Sequence, residues 1–527
     1  MEQKVLIAAF ETVPGPTSVG NRILALTDSL ARAFSVDVFT LKTENLPHIE
    51  KLLGAKVFRV PAESGEIAEQ VRFFRRALQR QLEGGGYDVV HFLDPFAGTT
   101  IVSLAADYGY KTVFDVSRYP TWEVRDRLPV LDRDERTIRT LKAEELTCAK
   151  AADALLFNSK VTQKYLIEQK IQRSRTFYLP GGVGLRKPRP AAAIKGSMKI
   201  VYVGDLAPWQ GIGTLVTAFA KLASRRGAEL TIVGPDEEHW KSNLIESARR
   251  LKAASKIRFE GPKLGEELDE IIATADVCVA PLAKTKRAIA GGLLPVKLFE
   301  YMAHGKPVVA AATPAIKSVV TDGEHAVLYN PGDPQALATA LLSVAEDDEL
   351  RERIGAAGRA LCESEFSGSV WRKRLYDFYA QLLGVDLSEV PTEGDWNDSA
   401  ASDKLMVEFK QAISDSKFKA KGLPAEKIAG ADADAADTAE VTIPGADPAP
   451  HAAEPPEPRE VAAVAPPPVA ATKTDETGTQ PTAKIPRAAT DDEDTKEGTL
   501  KIKRPQMPVK GAEDEEPTDP GAKTRQP

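Results

Sequence analysis

Up to about Leu383 the chain alternates short apolar runs with longer stretches whose apolar residues recur every three or four positions. Unbroken or period-two apolar runs read as strands, and the 3.6-residue period reads as helix. On that basis Val5 to Phe10, Val36 to Leu41, Ala55 to Val60, Val89 to Phe92, Thr112 to Val116, Ala154 to Phe157 and Thr176 to Leu179 predict strands. Arg22 to Phe34, Val71 to Leu82, Thr99 to Ala106 and Asp132 to Ala151 predict helices. The pattern then restarts. Lys199 to Val203, Glu229 to Val233, Ile257 to Phe259 and Val277 to Pro281 predict strands, alternating with helices at Thr214 to Ser224, Asn243 to Ala253 and Leu268 to Ala275.

Alternation of this kind with short connections argues an α/β chain whose parallel sheets are covered on both faces. The linker KPRPAAAIKGS, Lys187 to Ser197, divides it into two Rossmann-like domains, residues 1–186 and 187–370. Ligands of open parallel sheets bind outside the carboxyl ends of the strands, so two such domains facing each other make a cleft.

Composition changes this picture at one end. The 527 residues are 43% hydrophobic and 28% charged, but that average hides two unlike regions. From about residue 385 to 527, Ala, Pro, Asp, Glu, Lys and Thr dominate, as in PGADPAPHAAEPPEPREVAAVAPPPVAA. Such a stretch buries too little apolar surface to offset ordering entropy, so a long disordered C-terminal tail is expected. Within it Asp403 to Lys419 has helical apolar spacing read as a transient helix, and ATDDEDTKEGT offers threonines beside acids to protein partners or is plain solubilising disorder.

A formal net charge of −7 gives no nucleic-acid footprint. Cys148, Cys278 and Cys362 are widely spaced and read as buried free thiols of a reducing compartment. The opening MEQKVLIAAFETVPGP is a strand running into a turn rather than a signal peptide, and no apolar run has bilayer-spanning length. A cytoplasmic protein with room for peripheral membrane contact is expected. No His, Cys, Asp or Glu cluster has metal-ligand spacing.

The most informative segment is AIAGGLLPVKLFEYMAHGKPVVAA, Ala288 to Ala311. A glycine pair opens a loop, and Pro295 stands where a first helical turn tolerates proline. Leu298, Phe299, Tyr301 and Met302 give a short helix its apolar side, Gly305 ends it, and Val308 to Ala311 reads as a buried strand. Lys297 and Glu300 therefore ride on a helix whose N-terminus points at the loop. Amide groups there favour an anion, and a carboxylate one turn further in can accept hydrogen bonds from ribose hydroxyls.

From Pro295 to Val309 this segment resembles, without a gap, the donor-nucleotide motif of family 4 retaining glycosyltransferases of the GT-B fold. The resemblance implies two facing Rossmann-like domains, a donor site in the second, and a terminal helix, residues 371–384, crossing back onto the first. It implies transfer of a hexose-type sugar from a UDP- or GDP-linked donor to a glycan, lipid-linked or small-molecule acceptor, as in polysaccharide biosynthesis, with no bound cofactor. Glu300 would bind the nucleotide ribose. Gly291, Gly292 and Leu293 would face the donor, and Lys297 would meet its phosphates and act in catalysis. From their place in the loop just before, Lys286 and Arg287 either swing onto the same phosphates or form a solvated surface run.

Three positions depart from the family pattern. A second glutamate usually stands eight residues before the ribose-binding one, where this chain has Gly292. The loop after the strand ending in Val203 usually carries Arg and Lys for the diphosphate, where this chain has Asp205 and Gln210. A carboxylate ~4 Å from a phosphate costs about 4 kcal/mol at an effective dielectric near 20, so Asp205 must turn away or be neutralised. A catalytically degenerate GT-B protein, binding a nucleotide or sugar or scaffolding a glycan-assembly complex, is the alternative these departures favour.

The first domain offers four further candidates. Gly15 and Gly20, in the loop PGPTSVGN, allow close backbone approach to the donor. His91 is expected to end its strand on the cleft side, as a catalytic residue or as a hydrogen-bonded structural one, with Asp94 nearby. In DVSRYPTWEVRD, Arg118 is the expected contact to acceptor or phosphate, while Glu123, Arg125 and Asp126 read as surface pairing partners. VRFFRRALQRQL, Val71 to Leu82, reads as a core-facing Phe73–Phe74 pair under a solvated arginine face, or as a helix that touches anionic lipid.

Overall fold

The computed structural model describes residues 3–15, 17–43, 46–61, 67–116, 119–127, 135–189, 193–236, 240–263 and 265–394. Two sheets organise them. The first contains β1 (Lys4–Thr12), β2 (Ser35–Lys42), β3 (Ile49–Leu52), β4 (Ala55–Pro61), β5 (Val89–Phe92), β6 (Lys111–Val116), β7 (Ala154–Phe157) and β8 (Thr176–Tyr178). Their order across the sheet is β3-β4-β2-β1-β5-β6-β7-β8, parallel throughout except for the antiparallel edge pair β3–β4. The second contains β9 (Met198–Val203), β10 (Ala228–Val233), β11 (Ile257–Gly261), β12 (Val277–Ala280), β13 (Val308–Ala311) and β14 (Val327–Tyr329), ordered β11-β10-β9-β12-β13-β14 and wholly parallel.

Each sheet is doubly wound, so each has one switch point where successive connections diverge to opposite sides. These fall between β1 and β5 in the first sheet and between β9 and β12 in the second. The crevice beyond the strand ends at such a point is where α/β sheets take ligands.

Burial follows the pattern that predicted the strands. Val5, Ile7, Ala9, Val38 and Val89 fill one face of the first sheet, and Leu6, Ala8, Phe92 and Phe114 fill the other. The second domain has its own core, from Met198 through Phe299 to Phe366. The terminal helix Gly368–Leu383 leaves that domain and inserts Trp371, Leu375, Phe378 and Tyr379 into the first domain's core. Burying four such side chains is worth roughly 1.5–3 kcal/mol each, enough to hold the crossing.

Several elements differ from the sequence reading. The first helix begins at Ser18, capped by the Thr17 hydroxyl accepting the Gly20 amide at 2.9 Å, so Gly20 sits in a buried helical turn. The edge strand β3 and the helix Lys160–Glu168 carry too few buried apolar residues for periodicity to reveal. Of the expected aromatic pair only Phe74 is core, its ring 5.3 Å from those of Phe10 and Phe39, while Phe73 is 55% exposed.

The expected tail start is also displaced. Residues 385–394 are bound to the first domain: Arg32 donates to the Glu393 carbonyl at 2.9 Å, and fully buried Arg372 donates to the carbonyls of Thr392 and Gly394. Residues 395–527, with Asp403 to Lys419 and the threonine-rich acidic run, lie outside the described residues. No helix among the described residues is long and apolar enough to cross a membrane. All three cysteines are free and buried, and burial pushes the thiol pKa of each upward.

Candidate functional site

The motif helix Val296–Ala303 forms as its residues dictate. Pro295 occupies the N-cap with extended backbone, and Leu298, Phe299, Tyr301 and Met302 are buried. Gly305 adopts φ 69°, its amide donating to Met302 O at 2.9 Å and that of Lys306 to Tyr301 O at 3.1 Å, which closes the helix in a Schellman motif. The Tyr301 hydroxyl accepts the Val203 amide at 2.8 Å, tying the helix to the carboxyl end of β9. Lys297 and Glu300 are thereby fixed beside the β9–β12 switch point.

Lys297 Nζ donates to the Tyr202 hydroxyl at 3.1 Å and to Gln210 Oε1 at 3.0 Å, and lies 4.3 Å from the centre of the Tyr202 ring. Burial pulls its pKa down to about 8 against the attraction of Asp205 and Glu300. Gly204, at φ 141°, is where the ammonium packs: a Cβ there would come within 3.2 Å of Lys297 Cε and collide with Nζ. The two departures in the β9 loop thus both engage this lysine, Gln210 by a hydrogen bond and Asp205 through its charge. Asp205 thus lies in the field of Lys297 rather than facing an anion alone.

Glu300 is partly buried, and its carboxylate makes no hydrogen bond or ion pair among the described residues. Burial raises its pKa against the pull of Lys297, His304 and Arg186. Behind it, His304 Nδ1 lies 2.8 Å from Glu300 O and Nε2 lies 3.1 Å from Asp269 Oδ1, with Arg186 3.0 Å from the other Asp269 oxygen. Both ring nitrogens face oxygens, so His304 braces the last turn. Burial works to raise the Asp269 pKa, but His304 and Arg186 leave it below the usual carboxylate value.

The loop before the helix behaves unevenly. Lys286 is exposed, and its ammonium makes no hydrogen bond or ion pair among the described residues. Arg287 Nη2 instead reaches Glu123 Oε1 of the first domain at 3.0 Å, which corrects the expectation that Glu123 pairs on the surface with its neighbours. Gly291 accepts a hydrogen bond from Thr162 Oγ1 at 3.3 Å. A Cβ on Gly292 would lie 2.6 Å from Thr162 Oγ1 and collide with Ser159 Oγ, so this position has no room for the family's second glutamate. Leu293 packs at the edge of the second core.

In the first domain Gly15 lies at the turn after β1, where a Cβ would strike Thr12 O, and Gly20 packs on the Gly15 carbonyl. His91 does not face the cleft. It is fully buried, with Nδ1 2.9 Å from the Tyr379 hydroxyl of the terminal helix and Nε2 3.5 Å from Asp115, which ion-pairs with Arg22. Because β5 is covered on both faces, its histidine serves the junction with that helix, and burial lowers its pKa. Asp94 caps the helix Pro95–Tyr108 and accepts the Phe10 amide at 2.7 Å. Ser117 and Arg118 lie outside the described residues, as do the side chains of Arg125 and Asp126.

Models of known families match both halves. Residues 17–182 match a glycosyl transferase 4-like domain, and residues 197–347 match glycosyl transferases group 1. The chain belongs to the group 1, family 4-like glycosyltransferases. A D-inositol 3-phosphate glycosyltransferase of a Nocardioides strain is 27% identical over 385 residues, covering 65% of this chain and 81% of the relative. A lipopolysaccharide core biosynthesis glycosyltransferase, LpsE of Rhizobium meliloti, is 27% identical over 184 residues, covering 35% of this chain and 49% of its own.

Solved structures agree on the GT-B fold. Sucrose-phosphate synthase from Thermosynechococcus elongatus superposes with a TM-score of 0.62 at 21% identity, covering 72% of this chain and 99% of that one. Anabaena HepE in complex with UDP and glucose superposes with a TM-score of 0.56 at 16% identity, covering 72% and 100%. In this glycosyltransferase the residues that sequence reasoning missed are Tyr202, His304, Ser159, Thr162 and Trp122. They act by contact across elements or domains, and no local motif marks them. Among the described residues no group of three or more His, Cys, Asp or Glu is placed to hold a metal ion.

Proposed function

We propose that this glycosyltransferase transfers a hexose-type sugar from a UDP- or GDP-linked donor to a hydroxyl of a glycan, lipid-linked or small-molecule acceptor, with retention of configuration. The observation that carries the reading is the pairing of Lys297 and Glu300 on one helix at the second switch point, the first offering a cation and the second an unbonded carboxylate. The ribose hydroxyls donate to Glu300. The diphosphate meets Lys297 and the Gly292 amide, the Gly291 amide being bonded to the Lys286 carbonyl at 3.0 Å.

When the bond between the anomeric carbon and the β-phosphate oxygen breaks, negative charge grows on the leaving diphosphate. A preorganised ammonium and oriented amides stabilise that charge without reorganising. Lys297 supplies the cation that positions 205 and 210 lack, which favours transfer over a nucleotide-binding or scaffold role. Binding of UDP and glucose by HepE supports a UDP-linked donor, and the family 4 resemblance supports retention.

The test combines thermal shift with donor turnover over a panel of UDP- and GDP-sugars. Stabilisation by one nucleotide that vanishes in Glu300→Ala, with release of that nucleotide in the wild type, is the expected result. The same shift without turnover on any acceptor would favour the scaffold role.

A further inference from the structure

The helices Pro120–Arg127 and Lys160–Glu168 of the first domain meet the turn before the motif helix in a clasp made of three separate contacts. Glu123 Oε1 lies 3.0 Å from Arg287 Nη2, with side chains only 5% and 12% exposed. Trp122 lies against Gly291, so that a Cβ there would come within 2.6 Å of its Cε3. That ring is itself held between Tyr119 and Tyr165, each with its centroid 4.6 Å away. Thr162 donates to the Gly291 carbonyl, and Ser159 with Thr162 fills the space beside Gly292. Underneath, buried Glu145 accepts the Thr121 amide at 2.8 Å and pins the start of the helix.

We propose that Glu123 is a positioning residue of the donor site: through Arg287 it holds the turn Arg287–Leu293, and with it the Gly292 amide, where the diphosphate is received. The inference rests on the donor-site reading above. The two glycines of the turn have no side chains of their own to anchor them, so what packs on them from the first domain fixes their place within it. A guanidinium drawn out of water needs a counter-anion, and removing one member of such a pair leaves the other buried and uncompensated. Glu123 thereby makes the donor site a property of both domains together, formed only when they meet.

Calorimetry of the full chain with UDP, GDP and ADP, plus kinetics of UDP-glucose hydrolysis, tests it. Glu123→Gln should weaken UDP binding about tenfold, a part of what breaking a buried ion pair costs. It should raise KM with kcat within about twofold, the pattern of lost uniform binding. Arg287→Gln should lose at least as much, and the double variant should bind no more weakly than Arg287→Gln alone, since both act through one contact. Glu123→Asp should recover part of the loss, and carries the test if Glu123→Gln does not fold. Wild-type affinity in Glu123→Gln, or losses that multiply in the double variant, would overturn the inference. If Glu300→Ala abolishes UDP binding while Glu123→Gln leaves it intact, Glu123 alone is wrong. If the wild type takes up none of the three nucleotides, the donor-site reading falls and this inference with it.

Discussion

Lys297→Met separates a functional lysine from a structural one, because the two roles predict opposite signs. The substitution keeps the apolar stem and removes the charge. In the unliganded protein that charge meets the Tyr202 and Gln210 oxygens and the attraction of Asp205 and Glu300, yet burial pulls its pKa to about 8 from an ordinary 10.5. Between those values the unfolded chain binds more protons than the folded one, so stability rises with pH across the window. At neutral pH the buried charge therefore costs the fold up to about 3 kcal/mol, and partial exposure of the side chain cuts this to about 1–2 kcal/mol. The methionine variant should be as stable as the wild type at pH 7, or about 1 kcal/mol more stable, by urea unfolding. Its affinity for UDP should fall ten- to about a hundredfold, the loss of a charge-assisted contact worth ~1.5–3 kcal/mol. A variant that loses more than about 2 kcal/mol of stability while binding UDP normally would make Lys297 a structural post and refute the reasoning.

Glu145 gives a pH prediction of its own. Burial raises its pKa to about 7 from 4.5, so the folded state binds more protons between those values and stability falls as pH rises through that window. Glu145→Gln should flatten this decline and gain up to about 3 kcal/mol above pH 7, read by urea unfolding at pH 5 and pH 8. Gly292→Glu, which restores the family's usual residue, should lower transfer rather than raise it, because the side chain collides with Ser159 and Thr162; improved turnover would contradict the packing. Truncation after Gly394 should leave the unfolding midpoint unchanged, whereas truncation after Leu383 strips Arg372 of two carbonyl acceptors and should cost roughly 2–4 kcal/mol. Equal midpoints for the two truncations would place the true boundary earlier.

How far the sequence reached depended on whether the information was local. Strand runs and the Pro295–Val309 string lie in consecutive residues, so the two parallel sheets and the position of Lys297 and Glu300 were legible. The helix Lys160–Glu168 was not, because only Thr162 and Leu166 are buried and two positions make no period. His91 misled because a strand-end histidine looks the same whether the space beyond is a cleft or another helix, and here Tyr379 arrives from 288 residues away. Gly292 was legible as a departure but not as a fit. Only the meeting of two domains shows that Ser159 and Thr162 occupy its side-chain space. The compensation for Asp205 and Gln210 was equally hidden, since it depends on Lys297 crossing from another element to both.

A single titration reaches the claim on which the rest depends, that the position-300 carboxylate takes ribose hydroxyls. Wild type and Glu300→Ala are each titrated calorimetrically with UDP and with its 2′,3′-dideoxy counterpart. Wild type should lose at least about tenfold in affinity when the hydroxyls are removed, while Glu300→Ala, already weakened, should lose almost nothing further. Equal losses in both proteins would mean that the hydroxyls are bound elsewhere, and the site as described would be wrong.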